Sequence, residues 1–115
     1  MTFETLRTRT DVPVIIANSS GRIVFVNARF TEMFGWSSDE AVGQLLTLII
    51  PQSLHDAHHP GFSRFVETGS GRLLGKPLNL RARDKTGREF DAEHHILAEK
   101  QGEEWSFGAT IKPIA

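Results

Sequence analysis

The chain has no cysteine among its 115 residues. Disulfides, thiolate metal sites and cysteine nucleophiles are therefore excluded, and a reducing compartment is compatible. Tyrosine is also absent; the aromatic residues are eight Phe and two Trp. Most aromatic surface thus sits in apolar rings, which favours burial over polar recognition. Charge of one sign is lacking too. Thirteen Lys and Arg stand against 14 Asp and Glu. No basic stripe suits a phosphate backbone, so no direct nucleic-acid partner is expected. No apolar run approaches membrane-spanning length; the longest, near Leu45 to Ile50, is broken by Thr47 and ended by Pro51. The N-terminus lacks a basic-then-apolar signal pattern. No membrane partner is expected, and the default location is the cytoplasm. Apolar residues, at 39%, suffice for one core in a chain of one-domain length.

What is present reads as two strands, several short helices, then three strands. Thr2 to Thr10 is polar except for Phe3 and Leu6 at helical spacing, so it is read as a short helix anchored by those two. Asp11-Val12-Pro13 stops it. Val14 to Ala17 is a continuous apolar run, the pattern of a buried strand. Asn18-Ser19-Ser20-Gly21 is a turn, and Arg22 to Val26 is the hairpin partner. Asn27 caps a helix that carries Phe30, Met33 and Phe34 on one face and ends at Gly35. Ser37 and Glu40 have capping-box spacing. Leu45 to Ile50 is expected to form one more turn. A longer helix is expected from Leu54 to about Glu67, interrupted at Pro60 and Gly61. Leu78, Leu80 and Ala82 alternate with polar neighbours. Phe90, Ala92, His94 and Ile96 do the same, followed by Trp105, Phe107, Ala109 and Ile111. The expected turns are Asp84 to Gly87 and Lys100 to Glu103. Three strands in series, each with one apolar face, make an antiparallel meander. The helices between the second and third strands are the only cover for that face, which is an α+β arrangement.

Several stretches together carry a resemblance to a known family. They are Gly21-Arg22-Ile23-Val24, Asn27-Ala28-Arg29-Phe30, Phe34-Gly35-Trp36, Glu40 to Gly43, Ile50-Pro51 and Lys85-Thr86-Gly87-Arg88-Glu89-Phe90. In this order the chain resembles a PAS sensory domain from about Val12 to Ile111. The resemblance implies a PAS-like fold: a five-stranded antiparallel sheet of order 2-1-5-4-3 with short helices on one face. Residues 1–11 would be an N-terminal helical flank and 12–115 the PAS domain. The middle of the chain resembles the branch that includes the haem oxygen sensors, through Ile50-Pro51, His58, Phe62 to Phe65, Thr68 and Leu73-Leu74-Gly75. On the register set by that last triplet, the iron-ligating His of those sensors would fall at Arg72. An arginine stays protonated and has no lone pair for a metal. Haem is therefore not the favoured cofactor, and the cofactor is left unknown. A flavin-cysteinyl adduct is excluded by the absence of Cys. The C-terminal Lys112-Pro113 replaces the Asp-Ile-Thr-like ending of PAS domains wired to an effector.

The candidate ligand-binding residues are His94, Phe62, Phe65, His58, Arg72, Leu78, Leu80, Ala92 and Phe107. Strand parity puts His94 with Phe90, Ala92 and Ile96 on the face that meets the core. There it would anchor a ligand, or be a buried His satisfied by a carbonyl or water, the more ordinary outcome. The aromatic and aliphatic members would line a cavity, or interdigitate and leave none. Arg81 and Arg83 have the opposite parity and are read as solvent groups. His55 and His59 have metal-ligand spacing, but Pro60 spoils the helix and no carboxylate shares their face. They are read as an incidental cluster, and no metal site is assigned. There is no Ser-His-Asp arrangement, phosphate loop or metal-hydrolase motif, so no enzyme is expected. The expected function is sensory signal transduction: binding a small ligand or a partner protein and regulating an effector, including regulation of transcription. The alternatives are a haem-binding gas or redox sensor using His94 or His58, and a ligand-free dimerisation module. Phe3, Leu6 and Leu97 offer the surface for a homodimer.

Overall fold

The computed structural model of the protein describes residues 3–50, 78–101 and 104–113. Helix α1 (Phe3–Thr8) precedes strands β1 (Val14–Ala17) and β2 (Ile23–Val26). Helices α2 (Ala28–Phe34) and α3 (Ser38–Ala41) and a 3-10 turn (Leu46–Ile49) follow. Then come β3 (Leu78–Arg83), β4 (Glu89–Gln101) and β5 (Glu104–Pro113). The five strands form one antiparallel sheet in the order β2-β1-β5-β4-β3. This is the architecture the sequence resemblance implies. The expected Leu54 to Glu67 helix lies outside the described residues.

Strand β1 is buried at all four positions because both of its faces are covered. Ile15 belongs to the main core with Ile23, Val26, Phe30 and Phe34. Val14 and Ile16 point the other way and meet Leu6 of α1, with Phe25 and Leu97 beside them. Leu6 is fully buried. Two of the three apolar residues proposed for self-association, Leu6 and Leu97, thus already pack within the chain.

The long hairpin departs from expectation at its tip. Pairing continues through Lys100↔Trp105 to Gln101↔Glu104, where the sequence suggests a turn from Lys100 to Glu103. The run from Glu99 to Glu104 is polar apart from Gly102, so no alternation marks the strand ends there. At the other end β5 runs on to Pro113, opposite Ala92. A strand terminus tolerates proline because one missing donor breaks no continuing ladder.

Asn27 fixes the start of α2. Its Oδ1 accepts from the Phe30 backbone N–H at 3.0 Å and from Val14 N–H at 2.9 Å. Its Nδ2 donates to Arg9 O at 3.1 Å and Val12 O at 2.8 Å. One side chain therefore ties the N-terminal segment, β1 and α2 together. Gly35 ends α2 in the left-handed region at φ 84°. The left-handed turn favours glycine, and a Cβ there would also crowd Lys85 Cβ at 3.2 Å, where the β3–β4 turn approaches. Ser37 and Glu40 form the expected capping box on α3. Lys85 docks on this corner: its backbone N–H donates to Phe34 O, and its Nζ reaches Glu40 Oε2 at 2.7 Å. The salt bridge and the capping box hold the Glu40 carboxyl well below the usual carboxylate range, at about 2.

Residues 43–50 strap together the two edge strands of the curled sheet. On the β2 side, Gly43 N–H donates to Ile23 O, Ile23 N–H to Gln44 O and Leu46 N–H to Gly21 O. On the β3 side, the Arg83 guanidinium donates to Leu48 O at 3.3 Å and Thr47 O at 3.2 Å. Arg83 is thus not the solvent group its parity suggests. It stands at the end of β3, where a long side chain reaches the carbonyls at the end of the 3-10 turn. Arg81 does face solvent, paired with Asp91 and Glu89.

Candidate functional site

The inner face of the sheet is built from small and aliphatic residues. Ala82, Ala92 and Ala109 lie in the main core with Ile111, and Ile96 packs against them. Alanine at three central positions leaves volume above the sheet that side chains from a covering layer, or a ligand, must fill. Helices α2 and α3 and the 3-10 turn cover part of it with Phe30, Phe34, Ala41 and Ile49.

His94 is set into this floor. Its register partners are Leu78 on β3 and Ile111 on β5. Every charged residue from Arg81 to Glu99 has odd numbering on β3 and β4, hence the opposite parity. His94 is 8% exposed, and its Nε2 has no hydrogen-bond partner among the described residues. Burial disfavours the charged imidazolium and lowers the pKa to about 4. The ring is therefore neutral at pH 7, with one N–H donor and one bare acceptor nitrogen. A buried polar atom left unpaired costs about 1–3 kcal/mol. Such an atom calls for a partner.

The other sequence candidates divide three ways. Ala92 is fully buried in the core, and Phe107 is buried with the parity of Ala109 and Ile111. Leu78 and Leu80 occupy β3 opposite His94 and Ala92, which places them at inward register positions. His58, Phe62, Phe65 and Arg72, with His55 and His59, lie outside the described residues. Among the described residues no cluster of His, Asp and Glu is arranged for a metal ion.

The sequence reading missed Ile111 and Trp36 as members of this region. Ile111 is the direct neighbour of His94 on β5 and is fully buried; its even spacing from Phe107 was the available signal. Trp36 is half-buried against the core, and its Nε1 is the second buried polar atom without a partner among the described residues. Lys85 Nζ lies 5.3 Å from its ring centroid, a cation–π arrangement. Nothing in the linear sequence links Trp36 to Lys85.

A family model described as "PAS fold" matches residues 3–114. An uncharacterized protein of Azorhizobium caulinodans is 29% identical over 103 residues, which cover 89% of this chain and 14% of that protein. The sensor protein FixL of Bradyrhizobium diazoefficiens is 23% identical over 101 residues, 88% of this chain and 20% of FixL. The oxygen sensor protein DosP of Escherichia coli is 24% identical over 76 residues, 66% of this chain and 10% of DosP. The chain thus matches no more than a fifth of the length of these relatives. Among solved structures, the PAS domain of a Desulfitobacterium hafniense protein superposes with a TM-score of 0.74 at 18% identity, covering 91% of this chain and 94% of that one. A family match over nearly the whole length, on a chain with the sheet order described above, establishes that this chain belongs to the PAS family.

Proposed function

We propose that this member of a family of sensory signalling modules binds a small, largely apolar ligand above the inner face of the sheet, with His94 as its polar anchor. The observation that carries the reading is the buried Nε2 of a neutral imidazole, without a partner among the described residues, on an otherwise apolar floor. A ligand bearing one hydrogen-bonding group would satisfy it, and the alanines beside it leave room for the ligand body.

Signal would leave through β4 and β5. The residues after His94 alternate faces, so Ile96 touches the inner core while Leu97 touches the Leu6 cluster under α1. A ligand that binds one arrangement of these strands better than another shifts the packing of α1. The partner is then a second copy of the chain, an effector domain or another signalling protein. The domain itself carries no catalysis in this reading, and it works in the cytoplasm.

The test is a thermal-shift screen of small metabolites against the protein and its His94→Leu variant. A ligand that binds only the native state raises the melting temperature. The reading predicts hits on the parent protein that are lost in the variant. Hits that persist undiminished in the variant would remove His94 from the site.

A second reading follows from the DosP relationship, since that relative is an oxygen sensor by name. The Nε2 of His94, without a partner among the described residues, is chemically fit to ligate a haem iron from the sheet side, and His58 is the alternative ligand. Haem would supply gas binding at its iron. Protein that stays colourless after addition of haem ends this reading, whereas a Soret band lost in His94→Ala or His58→Ala would assign the ligand.

A further inference from the structure

The strap between the two sheet edges borders an open groove of about 270 Å³, lined by Arg22, Gln44, Leu45, Thr47, Leu48 and Arg83. Two cations, two neutral polar side chains and two leucines line it, and among the described residues no carboxylate does. The two guanidiniums are held by carbonyl groups. Arg22 Nη1 donates to Gly43 O at 2.9 Å. Arg83 uses Nε and Nη2 on the 3-10 turn. Each thus keeps N–H donors free of these bonds, on a head group already restrained. The contrast with other arginines is informative. Arg9, Arg29 and Arg81 each have an Asp or Glu partner. Arg7 and Arg88 lie over the rings of Phe25 and Phe90, whereas Arg22 and Arg83 have neither a carboxylate nor a ring partner among the described residues, in a chain where acidic residues outnumber basic ones.

We propose that this groove binds a small anion, a carboxylate or phosphate carried on a short apolar body. The guanidiniums supply planar donors that match such oxygens. The Gln44 amide and Thr47 hydroxyl supply neutral hydrogen bonds, and Leu45 and Leu48 accept the apolar part. The groove is small beside the range that holds drug-sized ligands, so the occupant is a single short molecule or one chain end. Its position matters because, among the described residues, the strap's hydrogen bonds to β2 run through its backbone and those to β3 through Arg83. An anion bridging Arg22 and Arg83 would add a second tie between the sheet edges. The site is separate from the inner face that carries His94, and neither proposal depends on the other.

The test is an amide NMR titration of the full chain with phenyl phosphate, benzoate and, as the uncharged control, phenol. The expected result is a saturable shift of the 21–23 and 43–48 amides with one of the anions at concentrations up to roughly 10 mM. The better anion identifies the head group. Arg22→Gln and Arg83→Gln should each raise its Kd about tenfold, and His94→Leu should leave it unchanged. Arg22 is exposed and off the core, so its variant reports on binding even if loss of Arg83 loosens the strap. The proposal is overturned by the absence of a saturable shift, by equal shifts with phenol, or by an unaltered Kd in Arg22→Gln.

Discussion

Replacing Asn27 by alanine removes four hydrogen bonds at once: two accepted by Oδ1 and two donated by Nδ2. Loss of the cap bond to Phe30 costs about 1 kcal/mol. The bond from Val14 N–H contributes a further ~1 kcal/mol, because that donor sits at the buried start of β1. The carbonyls of Arg9 and Val12 are nearer solvent and regain water in part, so together they add about 1 kcal/mol. The sum, about 3 kcal/mol, is a large share of the 5–15 kcal/mol that holds an ordinary domain. It corresponds to a fall of roughly 12 °C in melting temperature for a chain of this length. Asn27→Asp keeps both acceptor bonds and loses both donor bonds, so it should fall between the parent and the alanine variant. Urea unfolding with an unchanged m-value measures both. Hydrogen exchange should show α1 losing protection in both variants, since Nδ2 supplies two of the bonds that tie the segment after α1 to the start of α2, beside that of Arg29 Nε to Thr10 O. An alanine variant within about 0.5 kcal/mol of the parent, or an α1 whose exchange does not change, would refute the reasoning.

Other consequences follow from single groups. Because His94 has a folded pKa near 4, below the ordinary His value near 6.5, the unfolded chain binds more protons between those values. Stability contributed by the neutral ring is present above about pH 6.5 and is lost as pH falls towards 4, by on the order of 3 kcal/mol. His94→Leu should flatten that part of the stability–pH curve, and an unchanged slope would contradict the burial argument. Glu40, whose pKa is lowered to about 2, contributes stability that is lost as pH falls below 4.5. Lys85→Ala should return the Glu40 titration, followed by carboxyl NMR, towards the ordinary range. Gly35→Ala forces a Cβ into the left-handed region and against Lys85. It should cost roughly 1–2 kcal/mol in urea unfolding, more than alanine at Gly43, whose Cβ would meet open space.

The local features were legible because their chemistry is local. Asn27, Gly35 and the Ser37–Glu40 box announce helix ends through side-chain and backbone needs that lie within four residues. The alternation from Phe90 to Ile96 fixed the face of His94 because strand parity has period two. What was not legible depends on contacts distant in sequence. The burial of both faces of β1 needs Leu6 to fold back over Val14 and Ile16, which the apolar run alone cannot reveal. Arg83 looks like a solvent residue by parity, and its bonds to Thr47 and Leu48 arise only once β3 lies beside the strap. The groove has the same origin, since Arg22 and Arg83 share no sequence pattern. The hairpin tip was misjudged because Glu99 to Glu104 lacks apolar spacing, while backbone pairing continues without it.

The most direct measurement is native mass spectrometry of freshly purified protein beside its His94→Leu variant. The account predicts a parent species heavier than the 12.8 kDa polypeptide by one retained small molecule, and a variant at the bare mass. A parent that carries nothing, or a variant that retains the same mass increment, would contradict a ligand held against His94.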